Sequence, residues 1–250
     1  MGLFHLKRFS LSNERSAQKV GTDAILLGSA ATIGAHKTDN NYKILDIGTG
    51  TGIIALMIAQ RISDSGFNAE ITGIDIDRSS FEEAQMNFDS SPWSEMMSAV
   101  HSSLQDYSKV CRNASIDLII SNPPFYDDTL TAPEQRRNVS RHTGVSAEDG
   151  TSLSPEDIIE FAADALSDKG ILSMIVPADF RERLSRAGRK TGLSLHRIMT
   201  IKTTERKPAK RMIIEFCKDS DREPVLEELV LNEEGKRTEQ FISLTNSFYI

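Results

Sequence analysis

Short, almost uninterrupted apolar runs alternate with longer helix-like segments along most of this chain. The runs Tyr42 to Ile47, Ile71 to Asp75, Ile116 to Ile120 and Gly170 to Val176 read as buried strands, with Met96 to His101 as a further short one. Between them lie helical segments: Ala24 to Ile33, with Thr22 or Asp23 as N-cap, then Ile53 to Arg61 and Ser79 to Phe88. Ser154-Pro155-Glu156-Asp157 caps a helix reaching Leu166, with Pro in the first turn, and a basic helix follows from Pro177 to Lys190. Such alternation predicts a parallel sheet covered on both faces. Arg197 to Lys202 and Arg211 to Phe216 are separated only by residues 203–210, too few for a helical crossover, so these two strands must pair as a hairpin. The expected product is an α/β fold: a seven-stranded, mostly parallel sheet with one antiparallel strand. A single domain spans 1–250, with an N-terminal arm or short hairpin over 1–20 and a C-terminal extension over 219–250. That extension carries a strand-like Glu228 to Leu231 and ends on Phe248-Tyr249-Ile250, expected to dock. Residues 126–151 form a long polar loop holding Arg136, Arg137, Arg141 and His142, and loops of that length are usually functional or disordered.

Chemistry gathers where the strands end. Gly48-Thr49-Gly50-Thr51-Gly52 follows the first sheet strand and leads straight into a helix. A dinucleotide fingerprint needs glycine at the sixth position, where this chain has Ile53, and no Gly-Lys-Ser/Thr follows for a P-loop. Asp46, two residues before the first glycine, would repel a nearby pyrophosphate and attract an ammonium or sulfonium. Asp75 ends the second strand, placed to accept from ribose hydroxyls. Asp106, in the loop after the third, is a candidate acceptor for an adenine amine. Each acid alone could be a helix cap. Together with the tight glycine turn they suit S-adenosylmethionine.

Ser121-Asn122-Pro123-Pro124-Phe125 closes the Ile116 to Ile120 strand. The prolines fix their own φ and hold Asn122 extended. The Asn122 side-chain oxygen and the Pro123 carbonyl then offer two acceptors beside an aromatic surface, Phe125, which suits a planar substrate bearing an amino group. Alone, Asn-Pro is equally ordinary turn chemistry.

Composition narrows the class further. Net charge is −7, yet residues 181–211 carry 11 Lys/Arg against Glu182 and Glu205, leaving the remainder at −16. An acidic body with one basic stripe is compatible with a polyanion partner, although a solvated helix face has the same signature. Within it, Arg206, Lys207, Lys210 and Arg211 are candidate phosphate contacts. Cys111 and Cys217 lack metal-ligand spacing, so no metal is expected, and reduced thiols point to the cytoplasm. No apolar run approaches a membrane span, so no membrane partner is expected, and a monomer is the expected state.

Asp46-Ile47-Gly48-Thr49-Gly50-Thr51-Gly52, Asp75 and Asn122-Pro123-Pro124-Phe125 together resemble the Rossmann-like class I S-adenosylmethionine-dependent methyltransferases that modify exocyclic or amide nitrogens. Lys19-Val20-Gly21-Thr22-Asp23, Ser90-Ser91-Pro92-Trp93, His101 to Asp106, Arg141-His142-Thr143, Lys207 to Arg211 and Phe248-Tyr249 extend the resemblance over nearly the whole chain. They are similar to the bacterial tRNA1(Val) (adenine(37)-N6)-methyltransferases. The resemblance implies that Asp46, Gly48, Gly50, Asp75 and Asp106 bind S-adenosylmethionine, with Thr22 and Asp23 near its methionine end. It implies that Asn122 and Pro123 hold the target amine, that Phe125 stacks on the base, and that tRNA is the partner. One departure matters: Phe125 stands where adenine-specific enzymes often carry Tyr, and Phe is common among relatives that methylate guanine N2 of rRNA. A protein-glutamine N5-methyltransferase is a further alternative, but only about 40 residues precede the glycine loop, short for its separate recognition domain. A cofactor-sensing RNA-binding protein without catalysis would be expected to lose Asn122 and Pro123.

Overall fold

The computed structural model describes residues 2–16, 19–34, 42–111, 115–124, 153–218 and 223–249. The N-terminal arm is a hairpin of β1 (Leu3–His5) and β2 (Ser10–Ser12), followed by α1 (Thr22–Ala30). Four βα units come next: β3 (Tyr42–Ile47) and α2 (Ile53–Asp64), β4 (Ala69–Asp75) and α3 (Arg78–Asp89), β5 (Met97–His101) and α4 (Leu104–Val110), then β6 (Ile116–Ser121) and α5 (Pro155–Ala165). The chain continues through β7 (Leu166–Pro177), α6 (Arg181–Thr191), β8 (Leu193–Lys202), β9 (Arg211–Lys218) and β10 (Val225–Val230). A two-residue ribbon, β11 (Asn232–Glu233) with β12 (Lys236–Arg237), and α7 (Glu239–Thr245) complete it.

Eight strands form the main sheet in the order β10-β8-β9-β7-β6-β3-β4-β5. Among the described residues only β9 runs antiparallel to its neighbours, pairing with β7 on one side and β8 on the other. The expected seven-stranded sheet with a closing hairpin is therefore present, and the C-terminal extension adds an eighth strand. β10 lies parallel on β8, its apolar Leu229 buried while Val225 and Leu226 stay exposed on the edge.

Helices cover both faces, as a parallel sheet requires. One core packs α1, α2, α3 and the C-terminal Phe241 and Phe248 against the sheet; the other packs Leu104 of α4, Ile158 and Ile159 of α5 and Leu184 of α6. Local chemistry sets several boundaries. Asp77 caps α3 by accepting from the Ser80 amide at 2.8 Å. Ser154 and Asp157 form a capping box with Pro155 behind the cap, as expected. Gly192, at φ +83°, ends α6.

Other boundaries differ from the sequence reading. The α1 cap is Gly21, without a side-chain bond, rather than Thr22 or Asp23, and the helix stops at Ala30, where the Thr32 amide and hydroxyl turn to the buried Glu215 at 2.8 and 2.7 Å. α6 starts at Arg181 because Ala178–Phe180 form a 3₁₀ turn first. Asp106 is not in a loop but in the first turn of α4. The C-terminus docks as expected: Phe248 is buried, and its carbonyl accepts from the Lys7 amide at 2.8 Å.

Candidate active site

Parallel pairing brings the ends of β3, β4 and β6 to one edge. Asp46 is in register with Gly73 on one side and Ile120 on the other, and Ile47 with Ser121. The Ser121 hydroxyl donates to the Ile47 carbonyl at 2.8 Å, tying the Asn122 turn to the base of the glycine loop. That loop hangs from β4: the Gly48 and Thr49 amides both donate to the Ile74 carbonyl, at 2.9 and 3.0 Å. Gly48, Gly50 and Gly52 all have positive φ, +69°, +57° and +81°, a region that L side chains rarely occupy. Gly73 is needed for a different reason. A Cβ there would lie 2.7 Å from the Thr49 hydroxyl, so its absence lets the loop settle onto β4.

Asp46 is fully buried beneath this loop. Its Oδ2 accepts from the Thr49 hydroxyl at 2.7 Å, while Oδ1 has no partner at hydrogen-bond geometry among the described residues. Burial pushes its carboxyl up to about 7; the Thr49 hydroxyl and the Ala55 amide oppose the rise and the nearby Asp75 charge adds to it. Asp75 holds the loop from the next strand. Its Oδ2 accepts from the Gly50 amide at 2.8 Å and its Oδ1 from the Asp77 amide at 2.9 Å. Burial raises the Asp75 carboxyl above its ordinary range, against those two amides.

Lys19, Val20, Ala24, the loop residues Gly48 to Thr51, Ile53, Ile54 and Asn122 bound one small open cleft. Asn122 is half-buried and Pro123 buried. The Asn122 Oδ1 is itself buried and unpartnered among the described residues. The Asn122 acceptor thus belongs to a cleft where the left-handed Gly48 and Gly50 let a ligand approach the backbone, and the Asp46 carboxylate lies buried beneath the same loop. A buried acceptor left without a donor is costly, so the Asp46 carboxylate fits a ligand with a positive centre, as S-adenosylmethionine has, and the Asn122 oxygen fits a substrate that brings an N–H group.

The structure does not gather every residue picked out in the sequence. Thr22 is exposed and does not line the cleft; Ala24, two residues along, does. Asp23 accepts from Arg211 Nε at 2.9 Å, so a candidate cofactor residue and a candidate phosphate contact are paired with each other. Asp106 lies with a solvent-facing side chain: it accepts from the Ser103 hydroxyl and Lys109 Nζ and seals the start of α4. Those bonds, Lys109 first, hold its carboxyl below the usual range. Phe125, with Arg136, Arg137, Arg141 and His142, lies outside the described residues.

The basic stripe also divides. Arg183, Arg197, Lys202 and Arg211 are ion-paired, with Glu156, Glu215, Glu228 and Asp23. Arg206, Lys207 and Lys210 are exposed on the β8–β9 turn. Pro177 of β7 is in register with Arg211, so this turn sits at the same sheet edge as the glycine loop. Among the described residues no group of three or more His, Cys, Asp or Glu is placed to hold a metal, and no helix is long and apolar enough to cross a membrane.

Comparison with known proteins agrees with this architecture. Residues 21–182 match the family model of the methyltransferase small domain. Over 99% of its length the chain is 33% identical to the tRNA1(Val) (adenine(37)-N6)-methyltransferase of Photobacterium profundum, covering 98% of that protein. It is 36% identical, at 99% and 97% coverage, to that of Phocaeicola vulgatus. The chain belongs to the tRNA1(Val) (adenine(37)-N6)-methyltransferase family. Solved structures support the fold of the family member described above. A predicted O-methyltransferase from Agrobacterium tumefaciens superposes with a TM-score of 0.63 at 21% identity, over 90% of this chain and 96% of that one. A 16S rRNA N2 methyltransferase from T. thermophilus, in complex with AdoMet and guanosine, gives 0.54 at 17%, over 87% of this chain and 50% of that one.

Sequence reasoning about this methyltransferase missed four contributing residues. Thr49, between two glycines of the loop, is the donor to Asp46. Ser121 was read as the start of a turn, yet it fastens β6 to β3. Lys19 and Val20 were noticed in a motif but not as walls of the cleft.

Proposed function

We infer that this protein transfers a methyl group from S-adenosylmethionine to the exocyclic N6 of an adenine in tRNA, adenine 37 of tRNA1(Val). The substrate follows from full-length identity to relatives with that name. The chemistry rests on one observation: the buried Asn122 Oδ1, without a partner among the described residues, in the cleft beside the glycine loop. A monomer located in the cytoplasm is in keeping with this substrate.

S-adenosylmethionine supplies a methyl on a positively charged sulfur, already a strong electrophile. Gly48, Gly50, Asp46 and Asp75 are the residues that would hold it, Asp46 by charge and Asp75 by hydrogen bonding. Asn122 and Pro123 do the remaining work. An adenine amine is a poor nucleophile because its lone pair is delocalised into the ring. Accepting its two N–H bonds at the Asn122 amide oxygen and the Pro123 carbonyl favours a pyramidal nitrogen with a directed lone pair. Phe125 is proposed to stack on the base, which must leave its own stack to reach the cleft. No side-chain nucleophile is required; orientation and preorganised dipoles supply the rate.

Asn122→Ala should therefore lower the single-turnover rate on tRNA by about 10²- to 10³-fold, the scale for one preorganised polar group. S-adenosylmethionine affinity should stay within a few fold, because Asp46 and Asp75 remain. Nucleoside mass spectrometry of the wild-type digest should yield N6-methyladenosine. Phe125 favours one second reading, methylation of guanine N2, and recovery of N2-methylguanosine would establish it in place of the first. An Asn122→Ala rate equal to wild type would reduce the Asn-Pro-Pro stretch to a turn.

A further inference from the structure

Glu83 lies on α3, away from the cleft, and is fully buried. A buried carboxylate is expensive unless it is fully hydrogen-bonded, and this one is spent on a single segment. Oε1 accepts from the Ser12 hydroxyl at 2.7 Å, the Glu14 amide at 2.7 Å and the Arg15 amide at 3.0 Å; Oε2 accepts from the Ser16 amide at 2.7 Å. Burial works against its ionisation, but these four donors outweigh it and hold the carboxyl below the usual range.

One turn along α3, Asn87 completes the grip. Its Oδ1 accepts from the Ser12 amide at 2.7 Å, and its Nδ2 donates to the Ser12 carbonyl at 3.0 Å and to the Thr51 carbonyl of the glycine loop at 2.8 Å. Ser16, itself buried, lies against Gly50: a Cβ on that glycine would stand 3.5 Å from the Ser16 hydroxyl.

Two bonds then cross from the held segment to the wall of the cleft. Lys19 Nζ donates to the Glu14 carbonyl at 2.7 Å, and the Val20 amide donates to Asn13 Oδ1 at 3.1 Å. Lys19 and Val20 are both lining residues. The wall is thus suspended from residues 12–16, and residues 12–16 from α3.

We propose that Glu83 is a positioning residue for S-adenosylmethionine: acting through the segment Ser12 to Ser16, it fixes the Lys19–Val20 wall of the cofactor cleft. The proposal rests on the cofactor reading of that cleft. Glu83→Gln removes the charge and turns one acceptor into an NH₂ that faces N–H or O–H donors, so the segment should loosen. The peptide amides of Glu14, Arg15 and Ser16 should exchange hydrogen at least tenfold faster, because their opening would no longer break bonds to a carboxylate. A wall that must be ordered on binding weakens affinity. S-adenosylmethionine affinity by titration calorimetry should fall about tenfold and its KM rise in step, with kcat within about twofold because the Asn122 turn is untouched.

The test measures hydrogen exchange and calorimetric affinity on the full-length protein, wild type and E83Q. Faster exchange over 14–16 together with weaker binding supports the proposal. Faster exchange with unchanged affinity overturns it, leaving Glu83 a structural anchor only. Wild-type protein that binds no S-adenosylmethionine would overturn the cofactor reading and this proposal with it. If E83Q does not fold, Asn13→Ala carries the test, since it cuts the bond to Val20 without touching α3. Its affinity should fall by severalfold, and an affinity equal to wild type overturns the proposal.

Discussion

Gly48→Ala and Gly52→Ala introduce the same methyl into the same loop, and the structure gives them different costs. Both residues hold positive φ, +69° and +81°, which costs an L side chain roughly 1–2 kcal/mol. Both lose glycine's extra freedom in the unfolded chain, a gain to the variant of about 0.4–1 kcal/mol that cancels in the comparison. They part at packing. A Cβ on Gly48 meets nothing within 4 Å, whereas one on Gly52 would stand 2.4 Å from Phe88 Cε1 and 3.0 Å from its Cζ. Phe88 is fully buried, so its ring cannot swing away freely. Overpacking of this kind adds about 1–3 kcal/mol. For a chain of this size each kcal/mol is worth about 2–4 °C. Gly52→Ala should therefore melt about 2–12 °C below Gly48→Ala in thermal denaturation followed by circular dichroism. Binding should rank the other way relative to stability. Gly48 lines the cleft, so its methyl stands in cofactor space, and Gly48→Ala should keep its fold while losing at least about tenfold in S-adenosylmethionine affinity. Equal melting temperatures would refute the packing argument, and an unimpaired Gly48→Ala would remove that glycine from the site.

Two further outcomes follow from charge. Burial pushes the Asp46 carboxyl up to about 7, so between about pH 4 and 7 the cofactor-free native state keeps a proton that the unfolded chain releases, and stability falls as pH rises through that window. A cation in the cleft favours the ionised form, so S-adenosylmethionine affinity should rise with pH by up to about tenfold per unit and level off above about 7. Asp46→Asn should remove the Asp46 share of both dependences and leave what the raised Asp75 carboxyl contributes; calorimetry in buffers of different ionisation heat would detect the released proton, and a pH-independent wild-type affinity would sink the assignment. On the substrate side, replacing Lys207 and Lys210 together with Ala should make the salt dependence of tRNA binding shallower by about 1.4–1.8 log units per log salt, at 0.7–0.9 per phosphate contact. Cofactor affinity should not change, and an unaltered slope would mean the exposed turn is merely solvated.

Much of this protein was legible locally. Alternating apolar runs and helical segments specify a two-faced parallel sheet because burial on both faces leaves continuous apolar strands. The short 203–210 connection forces β8 and β9 together, and Ser154-Pro155 announces its helix through capping chemistry that reaches only three residues. The glycine loop and the Asn-Pro-Pro turn were equally readable, since positive φ and proline geometry are properties of the residues themselves. What the sequence left undecided concerns partners distant along the chain. Asp75 ends one strand and Asp106 comes shortly after the next, yet Asp106 seals its own helix while Asp75 holds the Gly50 amide from 25 residues away. Asp23 and Arg211, 188 residues apart, were assigned to different ligands until the sheet order set α1 beside the start of β9. Nothing beside Glu83 in the sequence marks it out; only the return of the N-terminal arm across α3 makes it a buried acceptor for four donors. Periodicity and caps act within a turn or two and are written into neighbouring residues. The choice of hydrogen-bond partner for a side chain depends on which strand ends meet at one edge, and that is settled by the packing of the whole sheet.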